Sequence, residues 1–145
     1  MAGITGFEEI EGWKTGRQLT NLIYKLTEQG AFIKDYGLKD QIRRAAVSVM
    51  SNIAEGFESR TDTQFIKFLG HAKGSAGEVR SQLYIAFDLK YISQEQFAEA
   101  HELADRSSRQ ITRFMNYLQA HPRDHRFGEE PTDYNFDVGR STLDQ

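Results

Sequence analysis

The sequence contains no cysteine, so neither a disulfide framework nor a thiolate metal site can form. That fits a reducing compartment. Proline is nearly as scarce: the only two, Pro122 and Pro131, lie beyond residue 121. An interior proline costs a helix about 3 kcal/mol, so this long proline-free stretch leaves room for long helices. No apolar run reaches the ~18 residues of a membrane span. The first residues, Met1-Ala2-Gly3-Ile4-Thr5-Gly6, lack the basic and apolar regions of a signal peptide. A cytoplasmic location is therefore the default expectation, with no membrane partner. Charge of one sign is also missing. Residues 1–121 hold 15 Lys/Arg and 15 Asp/Glu, and residues 122–145 hold 3 Arg and 6 acids, which accounts for the whole net charge of −3. A strongly basic domain would signal nucleic-acid binding by charge alone. Here any basic site must be a local patch.

What is present is helical periodicity. A chain of 145 residues suits one domain and buries roughly 68–70% of the surface that its unfolded form exposes. The first helix is expected from about Phe7 to Glu28, with Trp13, Leu19, Leu22, Ile23 and Leu26 as its apolar positions and Gln29-Gly30 as its stop. The second is expected from about Leu38 to Gly56, with Ile42, Ala46, Val49 and Ile53 spaced as one helix face. The third opens on Thr61-Asp62-Thr63-Gln64, which has capping-box spacing. Its Phe65, Leu69, Ala72, Ala76, Val79, Leu83 and Ala86 form a sustained heptad seam that runs out near Leu89-Lys90. The fourth starts at a second capping box, Ser93-Gln94-Glu95-Gln96, and repeats Phe97, Ala104, Ile111 and Leu118 until Ala120. No strand pattern is found. Short connections make sequential helices antiparallel. The expected architecture is all-α: an up-and-down antiparallel four-helix bundle over residues 1–121, followed by a flexible, polar, acidic tail over residues 122–145.

Three groups of side chains are candidates for function. Lys14 and Arg17 share a face of the first helix, and Lys39, Arg43 and Arg44 lie at the start of the second. Guanidinium forks match phosphate oxygens, so these five read as nucleic-acid contacts. The competing reading is ordinary solvated charge or salt bridges to neighbouring acids, which is the commoner fate of surface cations. Ser48, Asn52 and Glu55 form a polar stripe beside the apolar face of the second helix. A catalytic reading would make Glu55 a general base. A structural polar network with Lys67 is the preferred reading, since no second acid or histidine is placed to share a reaction. Gly70, Gly74, Gly77 and Ser81 form a stripe on the third helix. Each interior glycine costs up to about 1 kcal/mol against alanine, so the stripe predicts close approach of another helix, from another subunit or from the same chain.

Metal and cofactor signals are absent. His71 and His101 lack the Glu-x-x-His spacing of a carboxylate-bridged site, with Phe68 and Ala98 at those positions. His101 and Asp105 have the spacing of a surface pair. The string Gly70-His71-Ala72-Lys73-Gly74-Ser75 reads as mid-helix and not as a phosphate loop. No nucleophile, triad or Gly-rich cradle is found, so no enzyme, cofactor or metal is expected.

Several strings resemble a known family. They are Phe7-Glu8-Glu9 through Trp13-Lys14, Tyr36-Gly37-Leu38-Lys39-Asp40-Gln41-Ile42-Arg43-Arg44-Ala45-Ala46-Val47-Ser48-Val49, Ser51-Asn52-Ile53-Ala54-Glu55-Gly56-Phe57, Phe65-Ile66-Lys67-Phe68-Leu69, Gly74-Ser75-Ala76-Gly77-Glu78 and Leu89-Lys90-Tyr91-Ile92-Ser93. Over about residues 7–119 the chain resembles the four-helix bundle family that includes proteins encoded in intervening sequences of bacterial large-subunit ribosomal RNA. The resemblance implies an up-and-down bundle, a ring-shaped homopentamer and no enzymatic activity. One branch of that family comprises accessory variability proteins of diversity-generating retroelements, which bind nucleic acid (RNA or DNA) and a partner reverse transcriptase through basic surfaces. This sequence departs from that branch in its neutral bundle, and Met50 stands where the family commonly has proline. A protein-interaction scaffold without nucleic acid is the alternative expectation.

Overall fold

The computed structural model describes residues 3–122. Among them are four long helices, α1 (Glu11–Leu26), α2 (Tyr36–Glu58), α3 (Asp62–Asp88) and α4 (Gln94–Ala120), with short 3-10 turns at Phe7–Glu9 and Gly30–Lys34. No strand occurs among the described residues. Consecutive helices pack in pairs and α4 returns against α1, so the four close into an antiparallel bundle. No helix of the described residues is long and apolar enough to cross a membrane. The acidic tail read from the sequence lies outside the described residues from position 123 onward.

The helix limits follow from local chemistry. The first helix starts later than the sequence suggests, because Ile10 has extended backbone and splits off the Phe7–Glu9 turn. It ends at Leu26, and Gly30, at φ +52°, turns the chain where few other residues would go. Asp35 starts α2 earlier than expected: its Oδ1 accepts from the Leu38 amide at 3.1 Å. At the other end α2 continues to Glu58, past Gly56. Gly56 is not a stop but a contact. A Cβ there would lie 2.7 Å from Phe65 Cδ1, so only glycine admits that ring. Thr61 caps α3 by accepting from the Gln64 amide at 3.1 Å, while the Gln64 side chain takes the Arg60 amide instead of completing the box. Ser93 and Gln96 do complete theirs. The turn from α3 to α4 is a Schellman motif with Lys90 in place of glycine at φ 63°. Its amide donates to Phe87 O at 2.9 Å, and the Tyr91 amide donates to Ala86 O at 2.8 Å.

The core forms two stacked clusters. One holds Leu19, Ile23, Leu26, Phe32, Ile42, Leu83 and Ala104. The other holds Ile10, Val49, Ile53, Phe65, Leu69, Ile111 and Phe114. The whole Phe65–Ala86 seam read from the sequence is buried. Close helix approach occurs at α1. A Cβ at Gly12 would lie 3.0 Å from Ile111 Cγ1, and one at Gly16 would lie 3.2 Å from Val49 Cγ1. Ser107 fixes the α1–α4 contact by donating to Gly12 O at 3.1 Å.

Candidate functional site

The five basic residues singled out from the sequence do not converge. Arg43 is committed within the chain. Its Nε donates to Thr27 Oγ1 at 2.8 Å, its terminal nitrogen pairs with Glu28 at 2.8 Å, and its guanidinium lies 4.3 Å from the Tyr24 ring centre. Only 19% of its side chain is exposed. Arg43 therefore clamps the end of α1 to α2. Arg44 pairs with Asp40 at 2.8 Å, and that hydrogen bond, with the nearby charge, raises the guanidinium pKa further. Lys14 pairs with Glu11 at 3.3 Å. Arg17 lies over Trp13 and Lys39 over Tyr36. Arg43 faces Thr27, whereas Gly16 beside Arg17 faces Val49. Ten residues of α1 separate these levels, roughly 15 Å at the helical rise.

A different group gathers at the end of the bundle where α2 begins. Asp35 holds it together. One carboxylate oxygen caps α2, and the other accepts from Tyr91 Oη at 2.9 Å. Donating to Asp35 raises the Tyr91 pKa above its ordinary value. Phe32 stacks on Tyr91 with ring centres 5.1 Å apart. Lys34 and Tyr36 flank Asp35 in sequence, Lys90 precedes Tyr91, and Lys39 follows one turn into α2. Tyr36 is 73% exposed. Among the described residues Lys34, Lys39 and Lys90 form no ion pair; the acids nearby, Asp40 and Glu28, are taken by Arg44 and Arg43. The sequence reading missed Lys34, Tyr36 and Lys90 because they lie in or beside connections, where no periodicity marks a shared face. The Gly30 turn and the Schellman position at Lys90 were the available signals.

The polar stripe of α2 is narrower than expected. Asn52 donates to the Ser48 carbonyl and hydroxyl, both at 2.9 Å, and Ser75 of α3 donates to the Ser48 hydroxyl at 2.8 Å. Ser75 is buried, so this network fixes the register of α2 on α3. Glu55 and Lys67 stand outside it. Both are exposed. Among the described residues no group of histidines and acids could hold a metal. His101 packs against Tyr84 and Phe97, and Asp105 bonds Arg109 and lies 3.8 Å from Arg80. The expected His101–Asp105 pair is thus replaced by an aromatic contact. An open groove between α1 and α4 is lined by Lys25, Arg106, Glu99 and Glu102, charges of both signs that select no ligand charge.

The glycine stripe of α3 faces away from the bundle. A Cβ added at Gly70, Gly74 or Gly77 would meet nothing within 4 Å. Among the described residues, no other helix of the chain packs on this stripe. Ser81 on the same line is exposed, and the face continues into Tyr84 at 52%, Ile85 at 46% and Leu89 at 52% exposure.

The chain matches the model of the 23S rRNA-intervening sequence protein family over residues 8–113. No curated protein matches it. Among solved structures it is similar to a protein of unknown function from the S23 ribosomal protein family of Bacteroides thetaiotaomicron. That pair has a TM-score of 0.65 and 19% sequence identity, over 72% of this chain and 95% of the other. At that identity the likeness concerns the fold.

Proposed function

Because the chain belongs to the 23S rRNA-intervening sequence protein family, we propose that it is a non-enzymatic, self-associating bundle that binds RNA or DNA in the cytoplasm. The observation that carries the nucleic-acid reading is the lysine-bearing end of the bundle. Among the described residues Lys34, Lys39 and Lys90 form no ion pair, Lys39 lies over the exposed ring of Tyr36, and Lys34 and Lys90 neighbour Asp35 and Tyr91, which are hydrogen-bonded to each other. Cations track a phosphate backbone, and an exposed aromatic ring offers a base a stacking surface. Self-association is supported by the outward α3 face. In a ring of the kind that the resemblance implies, each copy would present the same lysine end. A weak site repeated in this way becomes a strong multivalent one. A reverse transcriptase or other protein partner would engage the same assembly.

The test is fluorescence anisotropy with labelled RNA and DNA oligonucleotides across a salt series. We expect affinity to fall steeply with salt, since each phosphate contact releases counterions. Changing Lys34, Lys39 and Lys90 to glutamate abolishes binding, whereas reversing Arg44 changes it little. Binding that ignores the three lysines removes this site.

A second reading is a protein-interaction scaffold without nucleic acid. The equal count of basic and acidic residues over 1–121 favours it. Absence of binding at low salt, with assembly intact, would select it.

A further inference from the structure

Four aromatic side chains stand exposed on the described surface: Tyr24, Tyr36, Tyr84 and Phe87. Three of them are engaged. Tyr84 and Phe87 pack on Phe97, with ring centres 4.9 and 5.2 Å away, and the Arg43 guanidinium lies 4.3 Å from the Tyr24 ring centre. Tyr36 packs on no other aromatic ring among the described residues, and at 73% it is the most exposed of the four. Lys39 holds its ammonium 5.2 Å from the Tyr36 ring centre. The next residue in the chain is Gly37, where an added Cβ would meet only Asp35 Oδ1, at 3.9 Å. The residue beside the ring therefore contributes no side chain to shield it.

A single exposed aromatic is common on protein surfaces. This one is distinguished by what is anchored beside it. Asp35 caps the first turn of α2 and accepts from Tyr91 Oη at 2.9 Å, which ties the connection before α2 to the turn before α4. Lys34 and Lys90, each one residue from that hydrogen bond, are both exposed. Three lysines without ion pairs thus share one end of the bundle with the least covered aromatic ring among the described residues.

We propose that this end takes an unpaired nucleotide, with its base stacked on Tyr36 and its flanking phosphates on Lys34, Lys39 and Lys90. The proposal rests on the nucleic-acid reading above and names the substrate class: single-stranded segments, loops and strand ends, in preference to duplex. The reason is access. Inside a duplex each base face is covered by its neighbours, whereas an unstacked base can lie on an aromatic side chain. The cations are lysines, point charges without the planar fork of arginine, so they follow a backbone and do not read base edges. Every base has a face to stack. The site therefore selects strandedness and not sequence, and one ring serves one base.

The experiment is fluorescence anisotropy of the full chain with a labelled unstructured oligonucleotide, as RNA and as DNA, and with the same strand annealed to its complement. We expect the single strand to bind more tightly in both chemistries. Tyr36→Ala weakens single-strand binding about fivefold or more, the loss of one base–aromatic stack, and leaves duplex binding unchanged. Tyr36→Phe keeps the ring and keeps the affinity. Salt separates the two kinds of contact. Tyr36→Ala leaves the slope of log affinity against log salt unchanged, because stacking releases no counterion, whereas Lys34→Gln lowers that slope by roughly 0.7. Circular dichroism confirms that Tyr36→Ala folds, which the exposure of the residue leads us to expect. Equal affinity for single strand and duplex, or a Tyr36→Ala variant that binds like wild type, overturns the stacking site while leaving lysine-dependent nucleic-acid binding standing. No binding of either form at low salt overturns both.

Discussion

Two glycines in the bundle should respond oppositely to the same substitution. Gly74 lies mid-helix on α3, where an added methyl meets nothing within 4 Å. Alanine there gains helix propensity, up to about 1 kcal/mol, with no packing penalty. Gly56 lies inside α2 against α3, where a Cβ would sit 2.7 Å from Phe65 Cδ1 and 3.0 Å from Phe68 Cβ. The same propensity gain applies, but Phe65 is buried and has little room to withdraw. Overpacking of that kind costs about 1–3 kcal/mol, so Gly56→Ala is expected to lose about 1 kcal/mol net. The assay is urea unfolding followed by circular dichroism, at protein concentrations low enough to keep the chain monomeric. In thermal scans a change of 1 kcal/mol corresponds to roughly 3–4 °C for a chain of this size. Raising the concentration adds a second readout. If the α3 face carries the self-association, wild-type stability climbs with concentration, and Gly74→Ala climbs less because its methyl holds the partner off. A Gly74→Ala variant that is less stable than wild type in dilute solution would refute the reasoning, since something within the chain would then have to occupy that space.

Other variants test the remaining contacts. Arg43→Gln should cost roughly 1–2 kcal/mol, the range for hydrogen bonds to charged groups discounted for the exposed Glu28, while leaving RNA affinity in the anisotropy assay unchanged. Lys90→Gly relieves a left-handed residue at φ 63° and should raise unfolding stability by up to about 1 kcal/mol, at some loss of RNA affinity. Tyr91 should ionise above its ordinary value of 10.0 because it donates to Asp35. The folded chain therefore holds that proton more tightly than the unfolded chain does. The resulting stabilisation is complete below pH 10, and it is lost as pH rises through the raised value. Stability measured from pH 9 to 11.5 should show that decline in wild type, and less of it in Tyr91→Phe.

The bundle was legible because its long-range organisation is written in local periodicity. Phe65 through Ala86 repeats as a heptad seam, and every member is buried. The Ser93–Gln96 box marks the start of α4 by a pattern only four residues long. The surfaces were less legible. Arg43 looks like a phosphate ligand until Glu28, Thr27 and Tyr24 are brought to it from the preceding helix. No periodicity within α2 encodes that meeting. Glu55 shares a line with Ser48 and Asn52, but it is left in solvent. Glycine is ambiguous for the same reason. Gly12, Gly16 and Gly56 are small because a neighbour in the same chain presses on them, whereas Gly70, Gly74 and Gly77 have no such neighbour among the described residues. A sequence records the absence of a side chain, not what would collide with one.

That division sets different histories for the two sets of glycines. Those of α1 and α2 are held in place by folding itself, so any lineage that keeps the bundle must keep them or repack around them. On the proposed self-association, those of α3 are held only while a second copy needs the room. Where that association is given up, drift at positions 70, 74 and 77 meets no resistance from the fold, and alanine, the nearest better helix former, is the direction of drift.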